Sequence, residues 1–173
     1  YRFDYIWFGT YPQNDASGTQ FEPIKWRELS NDGNELLLLA ENILDNVSYN
    51  VTSTNVAWGN SNIRTWLNET FKTKAFTMTQ INDGIISKTI AEDEVNTNDK
   101  LLLLSAADVD NNNYFSTSDD KKAIASNYAK SVLNDNTTLT VGDDGYSNWW
   151  LRTTKSDYGD LWKCSIDHYG YTS

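Results

Sequence analysis

The sequence predicts an α+β domain in which strands from the two ends of the chain pair in one antiparallel sheet and helices pack around it. Three observations carry that expectation. Aromatic and β-branched runs lie near both termini, the middle places apolar residues at spacings of three and four, and no repeat or Pro- or Ser-rich linker divides the 173 residues. That length builds one sizeable core without disulfides, so residues 1–173 are read as one domain. The first residue is Tyr rather than Met, so the chain is expected to be a piece of a longer one.

The elements follow in order. Tyr5–Phe8 is a strand closed by Gly9, and Pro23–Leu29 is a second strand centred on Trp26. Asn31-Asp32-Gly33-Asn34 tolerates positive φ, and Glu35–Ala40 resumes as an apolar run, so the pair reads as a β-hairpin. Ser61 can cap a helix with Ile63, Trp66, Leu67 and Phe71 on one face and Arg64, Asn68 and Glu69 outward. A short helix follows over Thr77–Asp83, stopped by Gly84 in a left-handed cap. Ile85–Ile90 and Leu101–Leu104 are buried extended segments flanking an acidic loop, Ala91–Lys100. Ser105–Val109 and Asp119–Leu133 are helices, the latter with Ile124, Tyr128 and Val132 on one face. Strand character returns at Leu139–Val141, Trp149–Thr153 and Leu161–Ile166.

Composition narrows function. Fourteen Lys and Arg face 24 Asp and Glu, a net charge of −10 that repels a phosphate backbone, and the basic residues do not cluster, so no nucleic-acid partner is expected. The longest apolar run, Leu36–Ala40, is far short of the roughly 20 residues of a membrane helix, so no membrane span is expected in this segment. One Cys excludes an internal disulfide framework and one His a multi-His metal site. Seven Trp, ten Tyr and about twenty Asn suit a binding domain better than an enzyme.

The chemical constellations are weak. Cys164, Asp167 and His168 resemble a nucleophile set, but four residues along a strand separate Cys164 from His168 by about 13 Å, beyond hydrogen-bond reach. Asp108-Val-Asp110-Asn-Asn112 opens like a calcium loop, yet Asn113 stands where the sharp turn wants Gly, and Asp119 where the bidentate Glu belongs. It reads as a helix end and turn, as does Asp143-Asp144-Gly145. No cofactor is expected; a calcium ion on scattered carboxylates stays open. Four Asn-x-Ser/Thr sequons, at Asn46, Asn50, Asn68 and Asn136, are what an Asn-rich chain generates by chance. Trp7, Trp26, Trp58, Trp66, Trp149 and Trp150 belong to apolar patterns and are assigned to packing. Trp162 falls instead in the closing segment Ser156–Ser173, with Tyr158, Tyr169, Tyr171 and the chain's Cys and His.

Several motifs appear in order along the chain: Phe8-Gly9-x-Tyr11-Pro12-Gln13, Pro23-Ile24-x-Trp26-Arg27-x-Leu29, Trp66-Leu67-Asn68 with Phe71 and Ala75-Phe76, Leu103-Leu104-Ser105, Tyr128-Ala129-Lys130 and Trp149-Trp150-Leu151-Arg152-Thr153. This order resembles a domain-of-unknown-function family of Gram-positive gut bacteria, often attached to exported proteins, and covers almost the whole chain. The family's ending in turn resembles C-type-lectin-like domains of the formylglycine-generating-enzyme kind, which close on Gly-x-Arg-Pro-Ala, a motif this chain stops short of. The resemblance implies a C-type-lectin-like fold and an extracellular or surface location. Formylglycine-generating enzymes use a pair of cysteines, which Cys164 alone does not supply, so the scaffold is implied without that chemistry.

Some C-type-lectin-like domains are variable proteins of diversity-generating retroelements, randomised at template adenines in the final segment. Within Ser156–Ser173 only Trp162 and Lys163 fall outside the residues reachable from Asn codons ending in a pyrimidine. The expected function is therefore non-catalytic recognition of a protein or glycan ligand, through Tyr158, Asp160, Trp162, Asp167, His168, Tyr169 and Tyr171. The alternatives are a carbohydrate-active enzyme with a carboxylate pair and a structural module of a surface protein.

Overall fold

A computed structural model describes residues 3–52, 55–92, 95–133, 139–157 and 160–173, with 157 and 160–162 described by their backbone. The architecture is α+β, with small antiparallel sheets and short helices. β1 (Tyr5–Pro12), β2 (Phe21–Asn31) and β3 (Leu36–Ala40) form a three-stranded sheet in sequence order. The first strand continues through Gly9 rather than ending there. An extra residue between Trp7 and Thr10 makes a bulge, and Gly9 supplies its φ of +72°. The β2–β3 hairpin forms as the turn residues predict: Asp32 Oδ1 accepts the N–H groups of Asn34 and Glu35, and Gly33 has a φ of +89°.

Ser61 caps α1 (Asn62–Trp66), its hydroxyl accepting the Arg64 N–H. The helix then widens into a π-type turn, Leu67–Phe71, and closes as α2 (Lys72–Ala75). Phe71 and Ala75 pack with Tyr11 and Ile24 of the sheet in one core. Arg64 and Asn68, expected to face outward, are turned to the following segment. Arg64 Nε lies 2.7 Å from Asp99 Oδ1, and Asn68 receives the N–H groups of Lys100 and Leu101 while donating to the Leu101 carbonyl. The carboxylate of Asp99, wholly buried, also takes the Trp58 indole N–H and the Thr97 hydroxyl. A buried charge needs such partners, and they override the outward position that helical periodicity gives Arg64.

Three further expectations are corrected. Gly84 does not adopt a left-handed cap; it ends a π-type turn, Gln80–Gly84, closed by the Ile85 N–H on the Gln80 carbonyl. The acidic stretch 91–100 is largely strand, because β4 (Lys88–Glu92) and β5 (Val95–Asp99) pair as a hairpin that spends its backbone groups on each other. Asp119–Leu133 is not one helix. A 3-10 turn at Ser118–Lys121 precedes an extended stretch whose carbonyls at Ala123 and Ile124 accept from Ser147 and Ile43. Those long-range bonds win over helical propensity, and Ser126 then caps α4 (Asn127–Ser131) afresh.

Ser105 and Asp108 form a capping box on α3 (Ala106–Val109). β6 (Trp149–Asp157) and β7 (Asp160–Ile166) close the described chain as a hairpin. The two ends of the chain therefore do not share one sheet among the described residues. The reason lies at the edges of that hairpin: Arg152 N–H bonds the Leu104 carbonyl, while Ser165 and Ser173 exchange two backbone bonds. With those positions taken, the terminal sheets meet through side chains. Leu29 of β2 packs with Leu151, Cys164 and Ile166 in a second core.

Candidate functional site

β7 delivers the chain into a tight turn, Asp167–Tyr171. Its backbone is held at several points. Asp167 Oδ1 accepts the N–H groups of both Tyr169 and Tyr171 at 2.9 Å, and the Asp167 N–H reaches the Tyr171 carbonyl at 2.8 Å. Gly170, with a φ of +87°, packs so closely on the Ser118 carbonyl that no side chain fits between them. On this base Tyr169 and Tyr171 stand 57% and 61% exposed. The His168 ring lies 3.8 Å from the Tyr169 ring, centroid to centroid, and its Nδ1 is 3.4 Å from Asp144 Oδ1.

The structure thus brings Asp167, His168, Tyr169 and Tyr171 together. The backbones of Asp160 and Trp162 lie on β7, their side chains and all of Tyr158 outside the described residues. Cys164 does not join the group. It is buried among Leu151 and Ile166, on the inward face of β7, while His168 lies on the turn beyond the strand.

Sequence reasoning missed the second wall. The turn Gly142–Gly145 lies against His168, and Asp144 carries the contact. Desolvation pushes the Asp144 carboxyl up, but the Tyr146 N–H, the His168 side chain and the nearby Lys122 charge outweigh it and hold it below the usual carboxylate range. Lys122 Nζ sits 5.3 Å from the Tyr146 ring centroid, within cation–π range. The signal that could have found this wall was Gly142, where a Cβ would meet the His168 ring. Close approach of that kind is a reason for glycine, but sequence gives no partner for it.

Two other expected features are placed. Asp108 accepts the Ser105 N–H and an Arg152 N–H, which occupies it as a cap and an ion-pair partner, the structural reading of the 108–112 stretch. Trp7, assigned to packing, is 62% exposed on the outer face of β1. Strand alternation explains it: Ile6 and Phe8 take the inner positions, leaving Tyr5 and Trp7 outside beside Lys25. Among the described residues no helix is long and apolar enough to cross a membrane, and no three Asp, Glu, His or Cys side chains converge as a metal set.

Comparison with curated proteins and with solved structures finds no match to this chain. A family model does match, over residues 33–172, from the β2–β3 turn to the penultimate residue. It is that of a domain of unknown function, DUF6273, and the chain belongs to this family.

Proposed function

We propose that the domain is a non-catalytic recognition module whose contact surface is the closing turn around Tyr169 and Tyr171. One observation carries the reading: two tyrosine rings, each more than half exposed, stand on a turn fixed by Asp167 and Gly170. Rigid rings give contact area at small entropic cost, and fixing their backbone beforehand lowers that cost further. His168 and Asp167 add short polar groups for orientation, and Tyr158, Asp160 and Trp162 remain candidate contact residues from the sequence, outside the described side chains. The ligand is a protein or a glycan.

The scaffold belongs, on this proposal, to the C-type-lectin-like class, displayed on an extracellular or surface protein. Its support is the order of motifs and the placement of the exposed aromatic turn at the end of a closing hairpin. The further reading, that residues 156–173 are diversified by a retroelement, rests on codon reachability and predicts a near-copy of the segment beside its gene, differing only at adenines. A locus without such a copy ends that reading.

The recognition proposal is tested on a printed glycan array and a displayed-peptide library, with Tyr169→Ala and Tyr171→Ala as comparators. Specific retention is expected for the parent domain and a loss of at least tenfold for each variant, with unchanged circular dichroism. Binding that survives both substitutions moves the contact surface elsewhere.

A further inference from the structure

Between the inner face of β2–β3, the helix α1 and the Leu101–Leu104 segment lies a cleft of about 810 Å³. We propose that it is a binding site for an uncharged, lipid-like small molecule, separate from the closing turn. Its size falls within the roughly 300–1,000 Å³ of ligand pockets, whereas native interiors hold few voids larger than a water.

The chemistry of the lining selects the ligand class. Four tryptophans face it, and three have their indole N–H already spent: Trp26 on the Phe8 carbonyl, Trp149 on that of Lys121 and Trp150 on that of Val47. Those three offer ring surface alone. The charged lining residues are five cationic and five anionic, electroneutral in a chain of net charge −10. Each has a protein partner. Arg27 pairs with Glu41 and Lys88 with Glu35, and Lys100 donates to the carbonyls of Ile81 and Ile85. Asp45 accepts the Tyr11 hydroxyl, and Asp32 and Asp120 accept backbone N–H groups. Lys121 and Lys122 face Asp110 and Asp119. Among the described residues the one buried side-chain oxygen without a partner, Ser147 Oγ, is not part of the lining.

The charged groups of the lining are already paired, so an anionic ligand would need a cation drawn from its partner. An apolar, neutral molecule gains from the rings and leaves every pair intact.

The test uses Nile red, an uncharged probe, titrated by fluorescence and displaced with 1-dodecanol or dodecanoate. Ala40 lines the cleft and is its smallest apolar wall residue near Trp26, so Ala40→Phe fills it and Ala40→Leu fills it partly. Saturable one-to-one binding is expected, weakened at least tenfold by Ala40→Phe and less by Ala40→Leu, with dodecanol displacing at least tenfold better than dodecanoate. The milder variant carries the result if the larger one does not fold. Non-saturable binding, binding that both folded variants retain, or equal displacement by dodecanoate overturns the proposal. So does a dimer in size-exclusion chromatography that Nile red dissociates, since a second copy would then be the occupant.

Discussion

Gly142 and His168 approach so closely that a Cβ on the glycine would lie 2.2 Å from the imidazole Nδ1. The obstacle is a side chain, which can rotate away, so Gly142→Ala is expected to displace His168 rather than unfold the domain. The measurement is a pair: His168 ring resonances shift and their contacts to Tyr169 vanish, while the urea midpoint moves by less than about 1 kcal/mol equivalent. An unmoved imidazole would mean that the two turns do not touch in solution.

The Asp144 carboxyl gives a pH signature of the same contact. Its folded pKa is depressed below the ordinary 3.8, so its contribution to holding the turns together is present above that value and is lost as pH falls through the folded pKa. Carboxyl carbon titration should therefore place Asp144 below 3.8, and His168→Gln, which keeps a donor but removes the charge contribution of the ring, should raise its midpoint. A midpoint unmoved by His168→Gln contradicts the contact.

Gly170 and Gly33 separate backbone strain from collision. Both have positive φ, +87° and +89°, yet a Cβ on Gly170 would lie 2.0 Å from the Ser118 carbonyl oxygen, while one on Gly33 would meet nothing within 4 Å. Gly33→Ala is expected to cost about 1 kcal/mol, the left-handed penalty alone. Gly170→Ala adds an overpacking cost of about 1–3 kcal/mol, because a backbone atom must yield. Chemical unfolding of the two variants compares them directly, and equal losses would contradict the collision.

Arg152 ties three segments together. Its guanidinium lies 3.1 Å from both Glu92 Oε2 and Asp108 Oδ2 and donates to the Leu103 carbonyl, with the side chain only 13% exposed. Arg152→Ala strands two carboxylates and should cost about 3 kcal/mol. Arg152→Lys keeps the charge but loses the planar fork, so less than half of that loss should return. Full recovery by lysine in urea unfolding would show that charge alone matters.

Local chemistry was legible in the sequence. The Asn31–Asn34 turn and the cap at Ser61 use groups a few residues apart, so the chain itself names both partners. The sheet partition was not legible, because it depends on which distant groups occupy an edge: Leu104 at Arg152, Ser173 at Ser165. The failed helix over 119–133 has the same origin, its middle peptides being claimed by Ile43 and Ser147. For the closing site, composition singled out the segment Ser156–Ser173, and the turn at Asp167–Tyr171 within it came from the structure. Its second wall, 24 residues away at Asp144, is visible only in three dimensions.

Every strand in the described sheets pairs with a strand that follows or precedes it in sequence, β1–β2–β3, β4–β5 and β6–β7. The consequence is kinetic. Hairpins of this kind close in about 1–10 μs without waiting for distant chain, whereas Asp99, Asn68 and Arg152 act only once the hairpins dock. Folding should therefore separate into fast local pairing and a slower joining of preformed pieces, with Asn68→Ala retarding the second step and leaving the first untouched.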